Sequence, residues 1–169
     1  MKKVFLAFTA FLAFAATAFA QVIPNGVYVI KYASNPDYVI SLKDGAAANR
    51  NGIVVSKNDN SDSQKWRIEN LEDGSIVIRS MVDENYGINV CENAMCDNAR
   101  IISWSYGGYK NERWVPEKLS NGKFILKVLE NQGFVLQVAS SDVKDNGPVQ
   151  LFSKNKGSEQ QWIIKKVGE

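Results

Sequence analysis

Histidine is absent from all 169 residues. That one omission removes the commonest general base, the serine and cysteine nucleophiles that depend on an imidazole, and most zinc sites. Lysine and arginine are not concentrated in any stretch, so neither a nucleic-acid partner nor a membrane partner is expected, both of which need a basic footprint. No N-x-Ser/Thr acceptor for glycosylation occurs. Long apolar runs are missing too, with one exception at the very start.

That exception reads as a targeting signal. Lys2 and Lys3 give a positive beginning, an apolar run follows from Val4, and Ala18-Phe19-Ala20 supplies the small-x-small pattern at which such signals are cut. Residues 1–20 are therefore expected to be a signal peptide, Gln21 the mature N-terminus, and the product a secreted, extracellular protein. The run is at the low end of what spans a bilayer. Without Lys2 and Lys3 the formal charge falls from +2 to about zero, and 149 residues remain, the size of one domain over 21–169. Only two cysteines are present, Cys91 and Cys96. In an oxidising compartment a disulfide closing a tight loop is expected, with two unpaired thiols as the alternative, since a bridge needs Cα atoms within about 7 Å.

What the chain does have is internal repetition. Trp66, Trp114 and Trp162 are each 48 residues apart, and the same ungapped offset links Gly26, Gly74 and Gly122. It also links Ile30, Ile78 and Leu126; Ile40, Ile88 and Leu136; and Ile53, Ile101 and Val149. Three units follow, at about 22–69, 70–117 and 118–169. Within each, apolar residues alternate at period two, the mark of strands with one buried face. In the first unit the strands lie near Val27 to Tyr32, Tyr38 to Leu42, Ile53 to Ser56 and Trp66 to Glu69. Asn35-Pro36-Asp37, Asp44-Gly45 and Asp59-Asn60-Ser61-Asp62 punctuate them with turn formers.

Three four-stranded units must close without leaving long edges exposed. A propeller needs at least about four blades. A β-trefoil closes with three, pairing half of the strands into a barrel and the rest into hairpins that cap one end. The expected fold class is therefore all-β, a β-trefoil with pseudo-threefold symmetry. Trp66, Trp114 and Trp162 are its expected core.

The residues also carry a likeness. Gln64-Lys65-Trp66 and Gln160-Gln161-Trp162 match the Gln-x-Trp motif, while Glu112-Arg113-Trp114 keeps the tryptophan alone. With the unit length, the opening Gly-x-aromatic-x-aliphatic strand and the Gly147-Pro148-Val149-Gln150-Leu151-Phe152 run, residues 22 to 169 resemble the ricin B-type lectin domain. The resemblance implies one shallow sugar site per unit. An Asp follows the buried aliphatic residue of the second strand, an aromatic platform ends the third, and an Asn or Gln precedes the tryptophan. Carried over by position, these are Asn89, Trp104 and Asn111 in the second unit, with Tyr106 and Tyr109 nearby. In the third unit they are Gln137, Gln150, Phe152 and Glu159, with Gln160 beside them. In the first unit Ser41, Ser56 and Ser63 provide no platform. Gln64 belongs to the structural motif.

No unit has the Asp. A hydrogen bond to a carboxylate contributes about 1.5–3 kcal/mol against about 0.5–1.5 for a neutral pair, so an amide in its place weakens a site about tenfold, and a galactose preference is not carried over. Trp104 and Phe152 read equally well as half-buried packing residues. For Asn89, Asn111 and Gln137 an ordinary hydrogen bond within the fold is the competing reading, and for Glu112 a turn-bonding replacement of the glutamine. The expected function is non-catalytic binding of glycans or polysaccharide by sites in repeats two and three, without cofactor or metal. The alternatives are a protease inhibitor acting through the loops Met81 to Tyr86 and Ser105 to Asn111, with a protease as partner, and a structural or adhesive protein.

Overall fold

The computed structural model describes residues 22–168. The expected signal peptide, residues 1–20, and Gln21 lie outside the described residues. The first repeat forms β1 (Gly26–Tyr32), β2 (Tyr38–Leu42), β3 (Asn51–Lys57) and β4 (Trp66–Asn70). The second forms β5 (Ile76–Ser80), β6 (Tyr86–Val90), β7 (Ala99–Ser105) and β8 (Arg113–Lys118). The third forms β9 (Phe124–Val128), β10 (Phe134–Val138), β11 (Gly147–Ser153) and β12 (Trp162–Lys166).

The pairing closes in two tiers. The first and fourth strands of each repeat form a ring in which β1 pairs β4, β4 pairs β5, β5 pairs β8, β8 pairs β9, β9 pairs β12 and β12 returns to β1. This is a six-stranded barrel with no free edge. The second and third strands form the hairpins β2–β3, β6–β7 and β10–β11. Their third strands then pair with one another as a triangle, β3 with β7, β7 with β11 and β11 with β3. The third strand accordingly starts at Asn51, earlier than the apolar alternation suggests, because Asn51 and Gly52 pair with Ser103 and Ile102 of the next repeat.

The three tryptophans are fully buried in one continuous core. Each donates its indole N–H to the same carbonyl of its own repeat: Trp66 to Ile40 at 3.0 Å, Trp114 to Ile88 at 3.1 Å, Trp162 to Leu136 at 3.1 Å. A buried indole thus keeps its one polar group satisfied while its rings fill the core. A second threefold series fastens repeat to repeat. Asn49 accepts from the Ser105 N–H at 2.8 Å, Asp97 from the Ser153 N–H at 2.6 Å and Asp145 from the Lys57 N–H at 2.7 Å. Each clasp fixes the end of a neighbouring third strand, where the platform position lies.

Candidate functional site

The second repeat builds a cavity of about 650 Å³ between the β6–β7 hairpin and the segment leading into β8. Asn89, Trp104, Tyr109 and Asn111 line it together. Trp104 is half-buried at the end of β7, directly across from Gly87 on β6. Gly87 adds no side chain beside the indole, and a Cβ there would stand 3.1 Å from the Ile78 carbonyl oxygen. Tyr109 is 71% exposed at the rim. Gly107 leaves room beneath it, since a Cβ at that position would lie 2.5 Å from the Tyr109 ring and would push the exposed ring aside. Within Tyr106-Gly107-Gly108-Tyr109, Gly107 lets the tyrosine ring lie against the backbone, and Gly108 takes the left-handed turn at φ 84°.

Glu112 organises the polar side. It is 2% exposed, and its Oε1 accepts the N–H groups of Gly107 at 2.8 Å and Tyr109 at 2.7 Å. Gln64 and Gln160 hold their own turns likewise, accepting from Asp59 N–H and from Asn155 and Lys156 N–H. They also donate, to the carbonyls of Lys57 and Ser153, each at 2.8 Å. A carboxylate cannot donate. Glu112 Oε2 instead accepts from Asn89 Nδ2 at 3.3 Å, which turns the Asn89 oxygen the other way, where Asn111 Nδ2 meets it at 3.3 Å. Asn111 gives its other N–H to the Val90 carbonyl at 3.0 Å. The pair therefore offers a ligand chiefly carbonyl oxygen, an acceptor for hydroxyl groups. In repeat three the polarity is reversed: Gln160 Nε2 donates to Gln137 Oε1 at 3.0 Å, leaving the amide nitrogen of Gln137 outermost.

Several expected site residues sit elsewhere. Tyr106 does not line the cavity; the Arg79 guanidinium lies 4.1 Å from its ring centre, and a cation over an aromatic face holds it aside. Gln160 is fully buried, with its amide engaged by the turn and Gln137, so it is a structural residue with no polar atom to offer. Gln137 is nearly buried beside it, and Gln150, Phe152 and Glu159 are half-buried. Cys91 and Cys96 are free thiols, not the expected disulfide. Their loop is closed by other means: Ala94 N–H donates to the Cys91 carbonyl, Ala99 N–H to the Cys96 carbonyl, and Ala94 and Met95 pack on the core.

Sequence reasoning missed Arg50, Cys91, Ile102, Lys110 and Glu130, which also line the cavity. Arg50 comes from repeat one and Glu130 from repeat three, so nothing in the spacing within repeat two points to them. In repeat one the equivalent cleft, about 410 Å³, brings Ser41, Ser56 and Ser63 together beside Asp44, Asp59 and Asp145. The hydroxyl and N–H of Ser61 hold the Asp59 carboxyl below the usual carboxylate range.

The six-stranded ring, the three capping hairpins and the tryptophan set define the chain as a β-trefoil. No protein-family model matches the chain, and no curated protein does. Solved structures match it in fold. The designed threefold-symmetric protein ThreeFoil superposes with a TM-score of 0.79 at 22% identity, covering 84% of this chain and 99% of its own. The Rhizoctonia solani agglutinin gives 0.76 at 21%, covering 85% and 96%. The Macrolepiota procera ricin B-like lectin, solved in complex with lactose, gives 0.71 at 19%, covering 86% and 99%.

Proposed function

We propose that the protein is a secreted, non-catalytic carbohydrate-binding module whose main site is the repeat-two cavity. The observation that carries this reading is the convergence of a half-buried indole, an exposed tyrosine and two oriented amides on one open cavity. An aromatic face covers the apolar C–H side of a sugar ring, and planar amides read its hydroxyls. Agglutinin and lectin neighbours of the same fold support it, one of them solved with lactose. The absence of histidine, and the full engagement of Glu112 by backbone and amide groups, support a site that binds without reacting.

The protease-inhibitor reading is not favoured. Ser105 to Asn111 is fastened down by Glu112, and Met81 to Tyr86 is a short turn held by Met81 N–H to the Lys65 carbonyl and Tyr86 N–H to the Asp83 carbonyl. Neither is an extended loop of the kind presented to a protease. Secretion rests on the positive and apolar start of the chain, and N-terminal sequencing of the exported protein tests it, with Gln21 expected first. The functional test is a glycan array probed with the mature protein and with Trp104→Ala. Binding that disappears in a variant with an unchanged melting curve is the expected result; binding at full strength removes the proposed site.

A further inference from the structure

We propose that the glycan is acidic: with a sugar ring against Trp104, a carboxylate or sulfate ester on the same chain is held in a neighbouring basic cleft. The inference rests on the carbohydrate reading above. The cleft has a volume of about 320 Å³ at the starts of β3, β7 and β11, where the three repeats meet. Lys43, Arg50 and Arg100 line it, and no carboxylate does. Arg50 also lines the Trp104 cavity, so the two spaces adjoin at one arginine.

Charge is distributed unequally between them. On the Trp104 cavity Arg50 and Lys110 are balanced by Glu92 and Glu130. In the cleft nothing balances the three cations. None of them has an ion-pair partner among the described residues, whereas Lys65, Arg67, Arg79, Arg113, Lys127 and Lys154 all do. Unpaired cations lining one concave space form a receptor for an anion, and two guanidinium forks suit the paired oxygens of a carboxylate or sulfate.

The backbone of Arg50 adds a second observation. Its φ is 68°, in the left-handed region, and the equivalent Asn98 and Asn146 have φ of 65° and 61°. Asparagine tolerates that conformation and arginine does not favour it. Repeat one keeps the disfavoured residue and fixes it firmly. Arg50 N–H donates to the Ser103 carbonyl at 3.1 Å, Asn49 holds Ser105, and Asn51 Nδ2 donates to the carbonyls of Lys43 and Ala46. A backbone conformation maintained against residue preference is the kind of strain that accompanies a binding role.

The test is calorimetric titration of the folded mature protein with matched oligosaccharides, one neutral, one bearing a uronic acid and one bearing a sulfate ester. The acidic ligands should bind about tenfold or more tighter than the neutral one, with the advantage shrinking as salt rises. Comparing the carboxylate and sulfate ligands shows which anion is preferred. Lys43→Gln combined with Arg100→Gln, which lie outside the Trp104 cavity, should abolish the advantage and leave neutral binding unchanged. Equal affinity for neutral and acidic ligands overturns the proposal, as does an acid preference that survives the double substitution. No binding of any of the three by a folded protein sinks the carbohydrate reading itself, a different outcome from either.

Discussion

Repeats one and two form a cleft at the same place on the trefoil and furnish it differently. In repeat one the three positions are Ser41, Ser56 and Ser63, surrounded by Asp44, Asp59 and Asp145. In repeat two they are Asn89, Trp104 and Asn111, with Tyr109 at the rim and Glu112 behind. The scaffold beneath is the same: Trp66 and Trp114 make the same indole hydrogen bond, and Asn49 and Asp97 make the same clasp. The difference teaches that the fold fixes where a cleft opens, while two or three side chains determine what it can hold. A serine-lined cleft has no flat apolar surface for a sugar ring to lie on.

The largest effects should fall equally on both repeats, because they belong to the shared scaffold. Trp66→Ala and Trp114→Ala should each cost about 3–5 kcal/mol, the range for removing a large buried aromatic; denaturant titration checks this, and a large inequality would mean the threefold core is not equivalent. The next effect should be one-sided. Trp104→Ala should reduce glycan affinity at least about tenfold, about 1.4 kcal/mol, whereas Ser56→Ala should leave it unchanged. A subtler change sharpens the contrast with repeat three. Glu112→Gln allows the side chain to donate, as Gln160 does to Gln137, so Asn89 should rotate and present nitrogen to the cavity. Affinity should fall several-fold while the melting temperature holds or rises, because a glutamine can also donate to the Ser105 carbonyl. The smallest effect concerns acid. The Asp59 carboxyl is held below its ordinary value chiefly by the Ser61 hydroxyl, so its contribution is full above about pH 4 and is lost as pH falls through the folded value. The stability difference between the protein and Asp59→Ala should therefore be small at pH 7 and smaller still at pH 3.

The fold was legible because a 48-residue offset aligns tryptophan with tryptophan and one apolar register with another. Buried positions repeat when their surroundings repeat. The inter-repeat clasps were legible in principle, since Asn49, Asp97 and Asp145 obey the same offset. Their partners were not, because pairing between different repeats leaves no local pattern; the early start of β3 escaped for the same reason. At the site, Trp104, Asn89, Asn111 and Tyr109 came from position within the repeat. Tyr106 was misplaced because proximity in sequence says nothing about Arg79, which captures it from β5. Arg50 was missed because it belongs to another repeat, and the free state of Cys91 and Cys96 because backbone turns and the packing of Met95 close that loop without a bridge.

The most direct measurement is a titration of the isotope-labelled mature protein with oligosaccharide, followed through backbone, indole and side-chain amide resonances. The indole signal of Trp104 and the amide signals of Asn89, Asn111 and Tyr109 should move together with one dissociation constant, while Ser41, Ser56 and Ser63 stay still. Movement centred on the serine cleft, or none at Trp104 with a ligand that binds, would contradict the account.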